Sequence, residues 1–459
     1  LIECLEAEKS LSQTQTKFAL WAERLCVWQG FALILFAACM PVSITAMWVC
    51  LIAGLILWFV ISALTWKSGC FAVPVNKTVS PAAKLGASLF SISGLDGAPF
   101  LFPLLLFALA VFASGFAVGL SENVTQAPFQ HAFQVALNSL FTLQTLLVYP
   151  WAYQAVKRAP QFAAKALAAL FLVASLSCLY TPIEPEVMRR LTGAAPHYLQ
   201  ATGFLEQPMA FAGQLQVFLM LALALLLTGE YKRLPAVFQS KPAAIAVTLC
   251  LILGLVLASE RSAWLGAIFG VIVLGSRISK KVFFSSIIGL VLVAGLSYVF
   301  VPFVQDRVHK AFSGNDQSFA ARVEIYKHAM EAFKNDPIFG CGVKRFPKLQ
   351  AATAMPEKGY FDHAHSNYLH VLATTGVIGL AAYLYLLAVI LKTTTSLSKL
   401  HQANFNGAIA LGLLAATVAL CVSGLFEYNF GTGHVRLTYF FVLAFLAAVT
   451  GDDALGVRI

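Results

Sequence analysis

The side chains of this sequence best suited to chemistry are a histidine pair and a few isolated arginines. In DHAHSNYLHVLATTGVIGL, which runs from Asp362 to Leu380, His363 and His365 stand at the mouth of an apolar run long enough to enter a bilayer. Imidazole titrates near neutral pH, so one of the two can act as a general acid or base. The pair could also ligate a metal ion, with Asp362 or His370 as further ligands. The spacing, however, is neither that of paired cysteines nor that of an HExxH helix. A purely structural role for both is the third reading. Arg261 lies in otherwise apolar text (GLVLASERSAWLGAIF), and Arg322 leads a helical stretch. A guanidinium fork stays charged and binds phosphate oxygens bidentately. For Arg261 the plainer alternative is snorkelling to the interface or pairing with Glu260. For Arg322 it is a surface site, where its charge would oppose the helix dipole. Arg189 and Arg190, with His197 nearby, suit phosphates or lipid headgroups, an interfacial anchor being the plainer role. Lys344 and Arg345 beside Gly342 offer a further phosphate contact.

The elements that must hold these residues are membrane helices. Of 459 residues, 59% are hydrophobic and 11% charged, with a mean hydropathy of +0.78. A soluble protein carries roughly a quarter charged residues. Here charges bunch between apolar runs of about 17 to 25 residues, the length that crosses a hydrocarbon core. Twelve spans are expected, near 18–40, 43–64, 99–120, 133–152, 162–181, 208–228, 243–259, 263–276, 282–303, 367–391, 405–425 and 435–450. The seventh and eighth nearly merge through Ser259, Glu260 and Ser262 and could form one broken element. This predicts an all-α, polytopic integral membrane protein.

Orientation follows from Lys and Arg in short loops. With both termini cytoplasmic, the inner loops collect Lys67, Lys77, Lys84, Lys157, Arg158, Lys232, Arg233, Lys241, Arg277, Lys280, Lys281, Lys392 and Lys399. The short outer loops hold almost none, with Arg189, Arg190, Arg261 and Arg436 as exceptions, and those exceptions are informative. The formal net charge of +10 is then mostly an orientation signal, and its dispersal argues against nucleic-acid binding. The N-terminal text lacks a small-residue cleavage site and does not read as a cleaved signal peptide. Nine cysteines, mostly inside apolar runs, imply no disulfide framework, and Cys341 reads as a packing residue.

Three regions result: helices over 1–303, a loop domain over 304–365, and helices over 366–459. Within the loop, Ser318 to Lys334 is expected to be helical, with Phe319, Val323, Tyr326, Met330 and Phe333 on one side. Asn335-Asp336-Pro337 stops it. The loop is too apolar and too patterned for a tether, so it should fold back onto the membrane helices. Together these features describe an enzyme working on one membrane face. The rival of another class is a secondary transporter or lipid flippase, but internal repeats and midplane charges are not visible.

Four segments carry a resemblance: ERSAWLG at 260–266, the Arg322-led helix, DPIFGCGVKRF at 336–346 and HAHSNYLHVLATTGVIGL. Together, and more loosely with ATGFLEQPMAFAGQL at 201–215, they resemble the O-antigen ligase and O-antigen polymerase superfamily, ligases most closely. The resemblance spans about 200–440. It implies a GT-C-like, inner-membrane glycosyltransferase with a periplasmic site. The donor would be a glycan on undecaprenyl diphosphate and the acceptor a sugar of lipid A–core. Polymerases and protein O-oligosaccharyltransferases of the same superfamily are the neighbouring readings. His365 would be the essential histidine and Arg261 and Arg322 the diphosphate-binding arginines. Ser366 and Thr375 depart from the pattern, where Asn and an acidic residue are usual. A lipid-diphosphate donor brings its own leaving group, so the enzyme must add a base and cations. With His365 as base and two arginines as cations, an inverting displacement needs no cofactor and no metal. Neighbouring guanidinium groups would disfavour imidazolium at His365. Oligomeric state is not encoded legibly.

Overall fold

The computed structural model describes residues 13–68, 98–122, 127–184, 187, 200–301, 304–305, 308–309, 317–353, 362–400 and 404–450. Arg189, Arg190 and His197 lie outside these residues. The described residues form helices and no strands. Among the described residues, twelve segments are long and apolar enough to cross a membrane, matching the expected spans to within a few residues at most ends. The largest differences are the fourth, which runs Pro128–Arg158, and the tenth, which runs Asn367–Lys399.

The α-helices are α1 (Gln13–Cys39), α2 (Ile44–Ser68), α3 (Leu101–Ser121), α4 (Pro128–Leu140), α5 (Val148–Arg158), α6 (Ala163–Tyr180) and α7 (Pro208–Thr228). They continue with α8 (Lys241–Ala258), α9 (Arg261–Ile278), α10 (Lys280–Phe300), α11 (Gln317–Asn335), α12 (Phe346–Thr353), α13 (Asn367–Leu400), α14 (Phe405–Ser423) and α15 (Gly433–Thr450). The seventh and eighth spans are two separate helices. Ser259, at φ 57°, and Glu260 break the chain between α8 and α9.

The centre of the bundle is α7, α14 and α15, whose side chains are mostly buried. α14 packs against α7, α9 and α13, and α15 against α5 and α7. Backbones approach closely where α7, α9 and α14 cross. A Cβ on Gly412 would lie 2.9 Å from Leu221 Cα, and one on Gly270 would lie 3.0 Å from the Ala415 carbonyl. Small residues permit such contacts where apolar side chains gain nothing from leaving lipid. α10 is the outlier: it leans on α9 and buries no residue. Between it and α7, α8 and α9 runs an apolar cavity of ≈ 800 Å³, open to one side.

The 304–365 region does fold back on the bundle, with α11 packed against α13. The expected apolar stripe on α11 is displaced. Ile325, Ala329 and Ala332 are the buried residues, while Val323 and Met330 are exposed. Tyr326 and Phe333 of the expected stripe are half-buried, so the docked face overlaps it in part and is centred on Ile325, Ala329 and Ala332. Arg322 stands in the second turn of α11, not at its start.

Candidate active site

The site is held by a break in α13. Gly376, at φ 64°, interrupts the helix and leaves carbonyls without intrahelical donors. The segment Asp336–Gly342 supplies those donors: Cys341 N bonds Ala373 O at 2.9 Å, and Gly342 N bonds Thr374 O at 2.9 Å. In return Val377 N donates to Pro337 O at 3.0 Å. The Ser114 hydroxyl of α3 also donates to Thr374 O, at 3.0 Å. Gly340 and Gly376 meet backbone to backbone, and a Cβ on either would collide with the other strand of this contact. Two motifs far apart in sequence are therefore one structure, which clamps the loop against the start of α13. Cys341 packs inside this clamp, and burial pushes its thiol up to about 12, consistent with a packing residue.

At that start, His365 adopts φ 44°, a left-handed backbone that costs a non-glycine residue of the order of 1–3 kcal/mol. Its carbonyl accepts a hydrogen bond from the Tyr326 hydroxyl of α11 at 3.2 Å. Its ring Nδ1 lies 3.1 and 3.2 Å from the two carboxylate oxygens of Glu427. A carboxylate only accepts, so Nδ1 carries a hydrogen. Arg322 Nη2 lies 3.5 Å from Glu427 Oε2, with Arg322 partly open to solvent and Glu427 buried. Burial alone would raise the Glu427 carboxyl. The hydrogen bond and charge of His365, with His363 and the Tyr428 backbone N–H, hold it below its ordinary value.

The His363 ring centroid is 4.4 Å from that of His365, and its Nδ1 accepts from the His365 backbone N–H at 3.3 Å. Burial, then the neighbouring His365, lowers the His363 pKa below its ordinary value. His370 is buried beneath them. Its Nδ1 accepts from Ala364 N at 3.4 Å and its ring stacks on Tyr428 at 4.0 Å. It is a packing histidine, and Asp362 is exposed.

Nitrogen and oxygen atoms of His363, His365 and Glu427 lie within 4.8 Å of one another, a spacing a transition-metal ion could bridge. Two features work against that use. Arg322 already balances the Glu427 charge, and His363 Nδ1 is turned onto the His365 backbone.

Arg261 opens α9 at the same end of the bundle, tied to the histidine loop through amides. Gln216 Nε2 donates to Ala263 O at 2.7 Å, and Ser423 Oγ donates to Gln216 Oε1 at 3.2 Å. Asn429 Nδ2 donates to Ser423 Oγ at 2.7 Å, and Asn367 Nδ2 donates to Asn429 Oδ1 at 2.7 Å. The 201–215 motif seats the α8–α9 joint from the other side. Ala201 N bonds Leu257 O, while Gln200 Nε2 bonds Glu260 Oε1 at 2.9 Å. Glu184 accepts from Thr202 N and Gly203 N and fixes the turn. Arg322, His363 and His365 thus converge on one carboxylate, with Arg261 at the same rim. Lys344 and Arg345 are exposed on the loop.

Glu427 is the residue the sequence reading missed. Its signal was available: it is the one acidic residue in the turn between the last two spans, in GLFEYNFG.

Fold and site together define a polytopic all-α membrane protein with an ionisable cluster at one end of its bundle. Residues 246–384 match the family model described as O-Antigen ligase. The match runs from α8 to the first half of α13, includes Arg261, Arg322, His363 and His365, and supports the resemblance to the O-antigen ligase family. Glu427 lies beyond the matched residues. No curated protein matches the chain.

Proposed function

We propose that this protein is a lipopolysaccharide O-antigen ligase. It would move a glycan from undecaprenyl diphosphate to a sugar hydroxyl of lipid A–core, on the periplasmic face of the inner membrane. Both termini would then be cytoplasmic, in keeping with the loop charges. The observation that carries the reading is the Glu427–His365–Arg322 constellation at the rim of a bundle with an apolar side groove.

In this reading Glu427 accepts the Nδ1 hydrogen of His365 and aims Nε2 at the acceptor hydroxyl. Nε2 takes the hydroxyl proton as the oxygen attacks the anomeric carbon. The bond from that carbon to the diphosphate breaks, and the lipid diphosphate leaves with the electron pair. Attack opposite the leaving group inverts the anomeric centre. Arg322 and Arg261 stabilise the departing negative charge, and Lys344, Arg345, Arg189 and Arg190 are further candidates for phosphate or headgroup contact. Preformed cations in a water-poor site are worth more than in bulk water. The groove beside α9 suits the polyprenyl chain. Trp264, three residues from Arg261, lines it, so a lipid tail there would bring its headgroup towards the arginine.

The test is transfer by purified protein in detergent, using an undecaprenyl diphosphate glycan with each acceptor in turn. Product on lipid A–core alone is expected. Extension of a second lipid-linked glycan would make the protein a polymerase, and product on a pilin-like protein would make it a protein transferase. No covalent product at all would leave the flippase.

A further inference from the structure

We infer that α13, α14 and α15 enclose a binding site for one small monovalent anion, with Arg436 as its cation. Arg436 was an exception to the charge pattern of the loops, and the site above makes no use of it. It lies in the first turn of α15, inside a candidate membrane span. The residue as a whole is half-buried, and its Nε is fully buried with no hydrogen-bond partner. Among the described residues it makes no ion pair with a carboxylate. A buried charge without a counter-charge is costly, and a charge inside a span is usually kept for a ligand.

The guanidinium borders a cavity of ≈ 20 Å³ that is also lined by Asn367, Tyr383, Thr417, Asn429 and Tyr439. That is room for about one water or one halide, and none for a phosphate group. The polar wall is richer in donors than in acceptors. Asn367 Oδ1 is taken by Phe430 N, and Asn429 Oδ1 by Asn367 Nδ2. Thr417 donates to Leu413 O, so the Tyr439 hydroxyl donates to Thr417. The groups left over are the Arg436 N–H bonds, the second hydrogen of Asn367 Nδ2 and the Tyr383 hydroxyl, which has no hydrogen bond among the described residues. Convergent donors around a cation select an acceptor with negative charge. The anion would sit against the Asn367–Asn429 bond, and those residues lie two positions from His365 and Glu427. It would thus brace the two loops that present the reacting groups, without touching substrate.

The experiment compares melting of the purified full chain in sodium chloride and in sodium gluconate at equal ionic strength. Bromide-soaked crystals are examined in parallel for anomalous signal. Wild type should melt about 2–4 °C higher in chloride, with a bromide peak beside Arg436. Arg436→Gln should melt equally in both salts, and in gluconate at least as high as wild type, because its isolated charge is gone. Tyr383→Phe should narrow the wild-type difference. Melting of wild type that ignores chloride, or a bromide map with only water or a lipid phosphate at Arg436, would overturn the site. If Arg436→Gln does not fold, the bromide map of the wild type decides. Neither readout involves glycan transfer, so the site stands or falls separately from the proposed reaction.

Discussion

α10 and α14 are nearly indistinguishable as text, equally apolar along their lengths, yet they occupy opposite places. None of the apolar stretch of α10 is buried, against 72% of that of α14. The difference lies in the minority residues. α14 uses Gly412 to meet the α7 backbone, hydrogen-bonds Thr417 to Tyr439, and ends on Ser423, which bonds Gln216. α10 has two glycines, Gly289 and Gly295, and a Cβ on either would meet nothing within 4 Å. Apolarity puts a helix in the membrane, and small and polar side chains decide which helices it joins. The α14 end thus borders the ionisable cluster of Glu427, His365 and Arg322, and the unpacked flank of α10 leaves the groove open.

The comparison breaks hardest if substitutions beyond α14 do not matter. His365→Ala should cut transfer by about 10²- to 10⁴-fold, the usual worth of a positioned base, while the protein still folds. Retained turnover in purified His365→Ala would remove the proposed base. Glu427→Gln should cost less, but at least about tenfold, or 1.4 kcal/mol, since it no longer holds the Nδ1 hydrogen as a charged acceptor. Arg322→Ala and Arg261→Ala should mainly impair use of the donor, with lysine restoring only part, because a point charge replaces a bidentate fork. Steady-state rates against donor concentration separate these cases. Val291→Ala on the exposed flank of α10 should leave kcat unchanged.

Why the spans were legible and the cluster only partly so follows from range. A span is written in one continuous run, so all twelve could be read, including the break at Ser259. His365 and Arg322 stood out because polar groups are rare beside apolar text. Glu427 reaches His365 across 62 positions, and a lone glutamate in a short turn looks like any solvated acid until the fold buries it. The clamp between Asp336–Gly342 and the α13 break is made of backbone hydrogen bonds, which leave only glycines as their trace. The α11 face was read only in part, Tyr326 correctly and Val323 and Met330 not, because Ala329 and Ala332 are small residues that carry little weight in a hydrophobic pattern.

Acid should also divide the two regions. The His363 pKa is lowered, so the native state binds fewer protons than the unfolded chain, and stability falls as pH drops from about 6.5. The lowered Glu427 carboxyl adds stability above its unfolded value of about 4.5. That contribution is lost as pH falls through the lower folded value. Melting followed against pH should therefore show two acid phases. His363→Asn should shrink the upper one and Glu427→Gln the lower one. α10 carries no titratable group beyond Lys280, Lys281 and Tyr298, so fluorescent polyprenol binding to the groove should persist through the upper phase.

The smallest expected effect is a single methyl group placed on each helix. Gly412→Ala puts a Cβ 2.9 Å from Leu221 Cα and 3.1 Å from Ala224 Cβ, where only backbone movement can relieve the contact. Overpacking of that kind typically costs about 1–3 kcal/mol. Gly289→Ala meets open space and removes a helix-interior glycine, so it should be neutral or stabilising by up to about 1 kcal/mol. Melting temperatures of the two variants in one detergent read the contrast directly. Equal losses would mean that α10 is held by contacts with another molecule, and the groove beside it would then be closed in the membrane.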